Sequence, residues 1–288
     1  MSELKTIAKE LLESGKVGFI VGYKQERDPR KVVPFIARTP EQAEKLVFNH
    51  FSVNDLAVYL TKLQQPEGKM MGIVAKGCDI RAVIALIAES QFKREEVYII
   101  GANCNTCVKD IAKDWTKDNI SSKCITCEVR EPQNADVTFG EIVSVELPED
   151  TERITIEKLD AMNPIERWDF WKAEFEKCIK CYACRQTCPF CYCTQCIADK
   201  TMPRWIDSSA TPAGNFGWNI IRAMHLSGRC IGCNECERVC PVEIPLSLLN
   251  RKMVDVALKE FDYRSGLDFN TPTLVGTYDK KDNEDFIK

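Results

Sequence analysis

The sequence predicts two structural parts, an α/β N-terminal domain with a parallel βαβ core and a mostly α-helical C-terminal domain. Three observations carry this reading. Residues 71–101 alternate strand, helix and strand patterns within about thirty residues, the length of one βαβ unit. Cysteine density rises from five in the first 177 residues to eleven between Cys178 and Cys240, and a four-cysteine segment repeats at an offset of 52 residues. The expected boundaries are 1–150 for the α/β domain, 151–263 for the helical domain and 264–288 for an extended tail.

The opening stretch MSELKTIAKELLESGK has the period of an amphipathic helix with Ser2 as N-cap, and lacks the basic-then-apolar order of a secretory signal. VGFIVGY (17–23) reads as a strand, and helices are expected over 40–48 and from Ser52 to Leu63, the latter capped by Ser52 with Asp55 following. MGIVAK (71–76) and EVYIIG (96–101) read as strands around the helix DIRAVIALIAES (79–90), with Asp79 as its N-cap. A right-handed crossover makes these strands parallel, so the loops after both open on the same carboxyl edge. Lys76-Gly77-Cys78-Asp79 and Gly101-Ala102-Asn103-Cys104 therefore share the edge where open α/β sheets bind ligands, unless the two cysteines are simply buried at strand ends.

LPEDTER (147–153) marks the boundary, and a helix starts after Asn163, with Pro164 at its first position. Ile165, Trp168, Trp171 and Phe175 form a stripe at helical spacing, expected to be core, a partner-binding face being the alternative. WNIIRAMHLSGR (218–229) reads as helix, and VEIPLSLLNRKMVDVALKEF (242–261) as a proline-bounded turn and helix. The tail from Arg264 to Lys288 is polar and is expected to dock on a partner.

Composition narrows the function classes. With 39 Lys+Arg against 43 Asp+Glu, a net charge of -4 and no basic stripe, nucleic acid is not the expected partner. The best apolar run, Ala82 to Ala88, is interrupted by Arg81 and Glu89, so no membrane span is expected and the chain reads as cytoplasmic. In a reducing compartment, clustered thiols are metal ligands or redox groups more often than disulfides.

CIKCYACRQTCP (178–189) and CIGCNECERVCP (230–241) each read C-x2-C-x2-C-x3-C-P, the spacing with which bacterial-type ferredoxins hold two [4Fe-4S] cubanes. Three thiolates on a tight loop reach three irons of one cube, and the fourth points to the other cube. The assignment is Cys178, Cys181, Cys184 and Cys240 for one cluster, and Cys230, Cys233, Cys236 and Cys188 for the other. The second domain is thus expected to be a 2x[4Fe-4S] ferredoxin-like domain; structural zinc, which favours paired cysteines, fits poorly. Lys177, Lys180 and Arg185 surround the first motif while Glu235 and Glu237 lie in the second, so the first cluster is expected to have the higher potential.

Cys191, Cys193 and Cys196 follow the first repeat too densely to be incidental. They hold a third cluster completed from elsewhere or remain free thiols beside the first. Cys104/Cys107 and Cys124/Cys127 are two C-x2-C pairs, readable as a zinc site, a further cluster or unmetallated thiols lining a pocket. His50 and His225 are assigned no role. Neither a G-x-G-x-x-G fingerprint nor a P-loop is present, and no hydrolytic constellation is visible.

The segment GKMMGIVAKGCDIRAVIALIAESQFKREEVYIIGANC, with its KGCDIRA element, and the run KCIKCYACRQTCPFCYCTQC resemble the coenzyme F420 hydrogenase/dehydrogenase beta-subunit family, which includes formate dehydrogenase beta subunits; the likeness spans most of residues 16–262. Residues 163–262 also resemble the α-helical ferredoxin modules of multisubunit redox enzymes. The beta-subunit resemblance implies an FAD-carrying α/β domain, with Lys76, Gly77, Cys78 and Asp79 in the flavin pocket and Asp79 at a helix N-terminus where a phosphate can sit. It departs from many members in being shorter and in having both cluster motifs after the flavin domain.

The function expected is an iron–sulfur, FAD-containing electron-transfer subunit of an oxidoreductase. It passes electrons between a soluble hydride carrier, such as coenzyme F420 or NAD(P), and catalytic or electron-transfer partner subunits of an anaerobic redox complex. The alternative is a flavin-free wiring subunit of a hydrogenase, formate dehydrogenase or heterodisulfide-reductase-like complex. An iron–sulfur redox sensor is weaker, because no DNA-reading element is present.

Overall fold

The computed structural model describes residues 2–200 and 202–276, and the chain divides into two compact units. The first comprises residues 1–149 and 266–270, and the second residues 150–265 and 271–276 of those described.

The first unit is a five-stranded sheet of order β2-β1-β3-β4-β5. Helix α1 (Glu3–Glu13) leads into β1 (Val17–Gln25), which turns back into β2 (Val32–Ala37) as an antiparallel pair. The remaining pairs, β1 with β3 (Met70–Ala75), β3 with β4 (Val97–Ala102) and β4 with β5 (Val137–Phe139), are parallel. The mixed sheet places the expected βαβ unit, β3-α3-β4, at its centre. Helix α3 (Gly77–Ala88) buries Ile80, Val83, Ile84 and Leu86, which is why its composition is apolar nearly all round. Fully burying each such side chain contributes about 1.5–3 kcal/mol, so α3 is held by packing rather than by propensity.

Several local expectations change. The helix over 40–48 shortens to α2 (Pro40–Ala43), and Ser52–Leu63 contains only a single 3₁₀ turn at Ala57–Tyr59. Ser52 is fully buried and accepts from the Asn49 amide instead of capping a helix. Asp79 is not the N-cap of α3. Lys76 occupies that position, and Asp79 sits three residues on, its carboxylate accepting from the Lys76 amide at 3.0 Å. A short helix, α4 (Ser122–Ile125), carries Cys124.

The second unit contains helices and no strand among the described residues. These are α5 (Thr151–Ala161), α6 (Pro164–Glu176), α7 (Ala183–Thr187), α8 (Pro212–His225), α9 (Glu235–Arg238) and α10 (Leu246–Phe261). Helix α5 begins inside the stretch read as boundary, capped by Asp150. Arg251 of α10 reaches both Asp150 and Glu152 at 2.8 Å, and Arg153 pairs with Asp255, so two arginines clamp α5 to α10. The α6 start is as expected, Asn163 and Glu166 forming a capping box before Pro164.

The aromatic stripe of α6 is core at one end only. Phe175 is fully buried and stacks on Trp171, whereas Trp168 is half exposed and Ile165 is 73% exposed. The expected tail does not run free from residue 264: Gly266 packs against the Arg81 carbonyl of α3 and Phe269 stacks under Arg94. Residues 277–288 of that tail lie outside the described residues.

Candidate metal centre

The 52-residue repeat is visible in backbone dihedrals. Lys180 (φ 56) matches Gly232 (φ 72), and Tyr182 (φ 58) matches Asn234 (φ 53), all left-handed. Only glycine takes this region without strain, so three non-glycine residues held there mark a turn imposed by the loop as a whole. Each loop then enters a short helix, α7 or α9, and the two helices pack on each other. The arrangement is a pseudo-twofold pair.

The last cysteine of each repeat lies among cysteines of the other. Cys188, from the first repeat, lines one hollow with Cys230, Cys233 and Cys236 of the second. Cys240, from the second repeat, packs with Cys178 and Cys184 beside Phe175, Ile244 and Leu246, in an apolar group that also takes in Cys236. Cys181 is exposed at the rim. Backbone and side-chain donors point at sulfur: Gly232 N–H to Cys230 Sγ at 3.4 Å, Ile244 N–H to Cys240 Sγ at 3.4 Å, and the Asn250 amide to Cys236 Sγ at 3.2 Å. Burial pushes the Cys184 thiol up to about 11 and Cys236 to about 12, so deprotonation there calls for a bound cation. Soft thiols on paired turns, flanked by N–H donors and apolar walls, fit [4Fe-4S] cubanes. Among the described residues no group of three or more His, Cys, Asp or Glu stands ready to hold a single metal ion, whereas a cubane takes its ligands at four separate corners.

Helix α8 holds the first loop by a polar stripe that the sequence reading missed. Asn215 donates to the Cys178 carbonyl at 2.8 Å, Asn219 to the Asn215 carbonyl at 2.9 Å, and Arg222 to the Cys184 carbonyl at 3.1 Å. All three are buried. Their spacing of four and three residues on an otherwise apolar inner face was the available signal.

The three later thiols, Cys191, Cys193 and Cys196, line a second hollow against α8. Cys191 is lowered to about 7 by a hydrogen bond from Cys188, against the effect of burial.

The charges around the repeats are mostly neutralised locally. Arg185 pairs with Asp199, Lys177 with Glu174, and buried Glu235 with Arg238, while Ser247 donates to Glu237. The sequence-level contrast between a positive first motif and an acidic second one is therefore much reduced.

In the first unit, Cys104, Cys107 and Cys124 come together in one apolar group with Val53, Val108 and Ile120. The Cys107 N–H donates to Cys124 Sγ at 3.3 Å. Cys127 is half-buried outside that group, as is Cys78, whose Sγ lies 3.8 Å from Asp79 Oδ1. His50 is fixed by the Thr106 carbonyl and stacks on Trp115.

Lys76, Gly77, Cys78 and Asp79 do not form an open flavin pocket. Lys76 and Asp79 are 1% and 0% exposed and pair at 2.8 Å, and Lys76 Nζ also donates to Tyr23 Oη at 2.5 Å and the Asn54 carbonyl at 2.8 Å. All three ammonium protons are thereby used. A Cβ at Gly77 would stand 1.8 Å from the Val129 carbonyl oxygen, so that glycine makes room for neighbouring backbone, not for a phosphate. An open cavity of about 450 Å³ in this unit lies at the carboxyl ends of β4 and β5, between Asn103, Asn105 and Gly140 and the wall of Phe48 and His50. Its ionisable lining is Glu3, His50 and Glu141, with no lysine or arginine to receive a pyrophosphate. Neither that lining nor the buried Lys76–Asp79 pair offers FAD a cationic cradle.

Residues 177–245 match the 4Fe-4S dicluster domain model, which decides the cofactor class of the repeats. An F420-dependent formate dehydrogenase subunit beta of Methanocaldococcus jannaschii is 24% identical, aligned over 92% of this chain and 92% of that protein. The F420-dependent formate dehydrogenase 1 subunit beta of Methanococcus maripaludis is also 24% identical, over 93% and 91% of the two chains. The chain resembles the formate dehydrogenase beta subunits. That likeness extends over nearly its whole length and bears out the resemblance read from KGCDIRA and the cysteine run. A chain of the F420-reducing [NiFe] hydrogenase complex from Methanosarcina barkeri is 16% identical over 36% of this chain and 38% of its own, with a TM-score of 0.30. Among the described residues no helix is long and apolar enough to cross a membrane.

Proposed function

We infer that this chain is an iron–sulfur electron-transfer subunit of a multisubunit oxidoreductase, with Cys178, Cys181, Cys184 and Cys240 holding one cubane and Cys230, Cys233, Cys236 and Cys188 the other. The hollow lined by Cys188 together with the three loop cysteines of the second repeat carries this reading, because only a crossed dicluster calls for that grouping. When bound, the clusters supply one-electron transfer. The chain's own residues exclude water with Phe175, Phe190 and Leu246, aim N–H donors at sulfur, and hold the loops through α8. The two relatives carry F420-dependent formate dehydrogenase in their names, which supports a catalytic partner subunit and a hydride carrier such as F420 at the far end of the chain of transfer.

Flavin enters no step of this account. The buried Lys76–Asp79 pair and the covered Gly77 favour the alternative in which the first unit is a flavin-free adaptor, with the grouped Cys104, Cys107 and Cys124, joined by Cys127 from outside the group, as a thiolate site for zinc or a cluster. The test is iron, sulfide, zinc and flavin content of anaerobically purified full chain and of Cys181→Ser and Cys233→Ser. Each substitution is expected to remove about four irons. Unchanged iron in both variants would overturn the dicluster assignment, and stoichiometric flavin would overturn the adaptor reading.

A further inference from the structure

The hollow beside the first repeat is lined by Cys191, Cys193 and Cys196 on one wall and by α8 on the other. Of the residues lining it, His225, the last residue of α8, is the only further side chain that ligates metals readily. The rest of the lining is apolar, as with Trp218 and Ile221, or cationic.

Cationic side chains also face it, of which Arg185 is balanced by Asp199 and Arg222 lines the hollow of the second repeat as well. Arg185, Arg222 and Arg229 all border the hollow. Arg222 is 5% exposed, its Nε has no hydrogen-bond partner, and its Nη2 donates to the Cys184 carbonyl at 3.1 Å. A buried guanidinium without a carboxylate is unfavourable unless a negative group balances it. Thiolate-ligated iron–sulfur clusters carry net negative charge, and soft thiolates with an imidazole are donors that iron–sulfur centres accept. The i, i+2 spacing of Cys191 and Cys193 also allows both thiols to face one side of an extended segment, with Cys196 opening the next turn.

We propose that this hollow holds a third [4Fe-4S] cluster, ligated by Cys191, Cys193, Cys196 and His225. The site rests on the iron–sulfur reading above but uses none of the eight repeat cysteines, so it can fail independently.

The test uses the full chain, prepared anaerobically. Cys193→Ser is expected to lose about four irons, with the signals of the two repeat clusters retained; Cys181→Ser serves as the control for those clusters. Pulsed electron paramagnetic resonance of reduced wild type is expected to show strong nitrogen coupling from a bound imidazole. That coupling should vanish in His225→Cys while iron is kept. Iron loss in Cys181→Ser but not in Cys193→Ser would overturn the third site alone, and iron loss in neither would overturn the dicluster reading as well. Loss of zinc rather than iron from Cys193→Ser would overturn the cluster. Iron loss without nitrogen coupling in wild type would overturn His225 as ligand.

Discussion

Single side chains set both the stability of the sheet edge and the electronics of the clusters. Lys76 is buried, and burial opposes its charge, yet Asp79 and its other neighbours outweigh that and hold its pKa well above the ordinary 10.5. Asp79→Asn should therefore cost about 3–5 kcal/mol by leaving a buried ammonium unpaired, and adding Lys76→Met should recover much of the loss. Native-state hydrogen exchange of the β1 and β3 amides reads both. Tyr23 is pushed well above its ordinary 10.0, chiefly by burial. Folded Tyr23 and Lys76 keep protons that the unfolded chain releases as pH rises through about 10, so stability is full below that range and falls above it. Each group contributes a slope of about 1.4 kcal/mol per pH unit, and Tyr23→Phe should make the alkaline loss shallower by one such step. At the clusters, removing the Asn250 donor to Cys236 should lower that cluster's potential by about 40 mV, one net hydrogen bond of about 1 kcal/mol for a one-electron couple. A redox titration of Asn250→Ala that left the potential unmoved would show the donor to be inert. The sequence does not single out these roles: Asn250 lies in an ordinary amphipathic helix, and the pairing of Lys76 and Asp79 depends on Tyr23, 53 residues away from Lys76.

At the scale of elements, periodicity located β1, β3, α3, β4, α6, α8 and α10 because each obeys its own repeat over six or more residues. It missed β2, an edge strand interrupted by Pro34, and β5, three residues long and paired with a strand distant in sequence, and it extended a helix through Ser52–Leu63, where a buried Ser52 and Asp55 tie up the backbone instead. Both cysteine loops were legible, because ligand spacing is local chemistry. The polar stripe of α8 that secures the first loop was not, since its partners are backbone carbonyls. The α6 stripe shows the same limit: helical spacing says which residues share a face, not how far along the helix that face is covered. Phe175→Ala should cost about 3–5 kcal/mol, as deletion of a buried aromatic does, whereas Trp168→Ala at its half-exposed position should cost well under half as much. Thermal unfolding of the holo-protein compares the two.

The whole molecule consists of a mixed α/β unit carrying its own thiol group and a helical unit whose duplicated loops each set their last cysteine among those of the other. The likeness to formate dehydrogenase beta subunits over nearly the full chain sets this within oxidoreductase chemistry, and the duplicated loops give it the means to move electrons singly. The most direct test of that claim is which cluster signal responds to each of the two exchanged cysteines. Electron paramagnetic resonance of the reduced chain should show Cys188→Ser perturbing the same signal as Cys233→Ser, and Cys240→Ser the same signal as Cys181→Ser. If Cys188→Ser instead alters the signal that Cys181→Ser alters, each loop holds its cluster alone and the crossed dicluster is wrong.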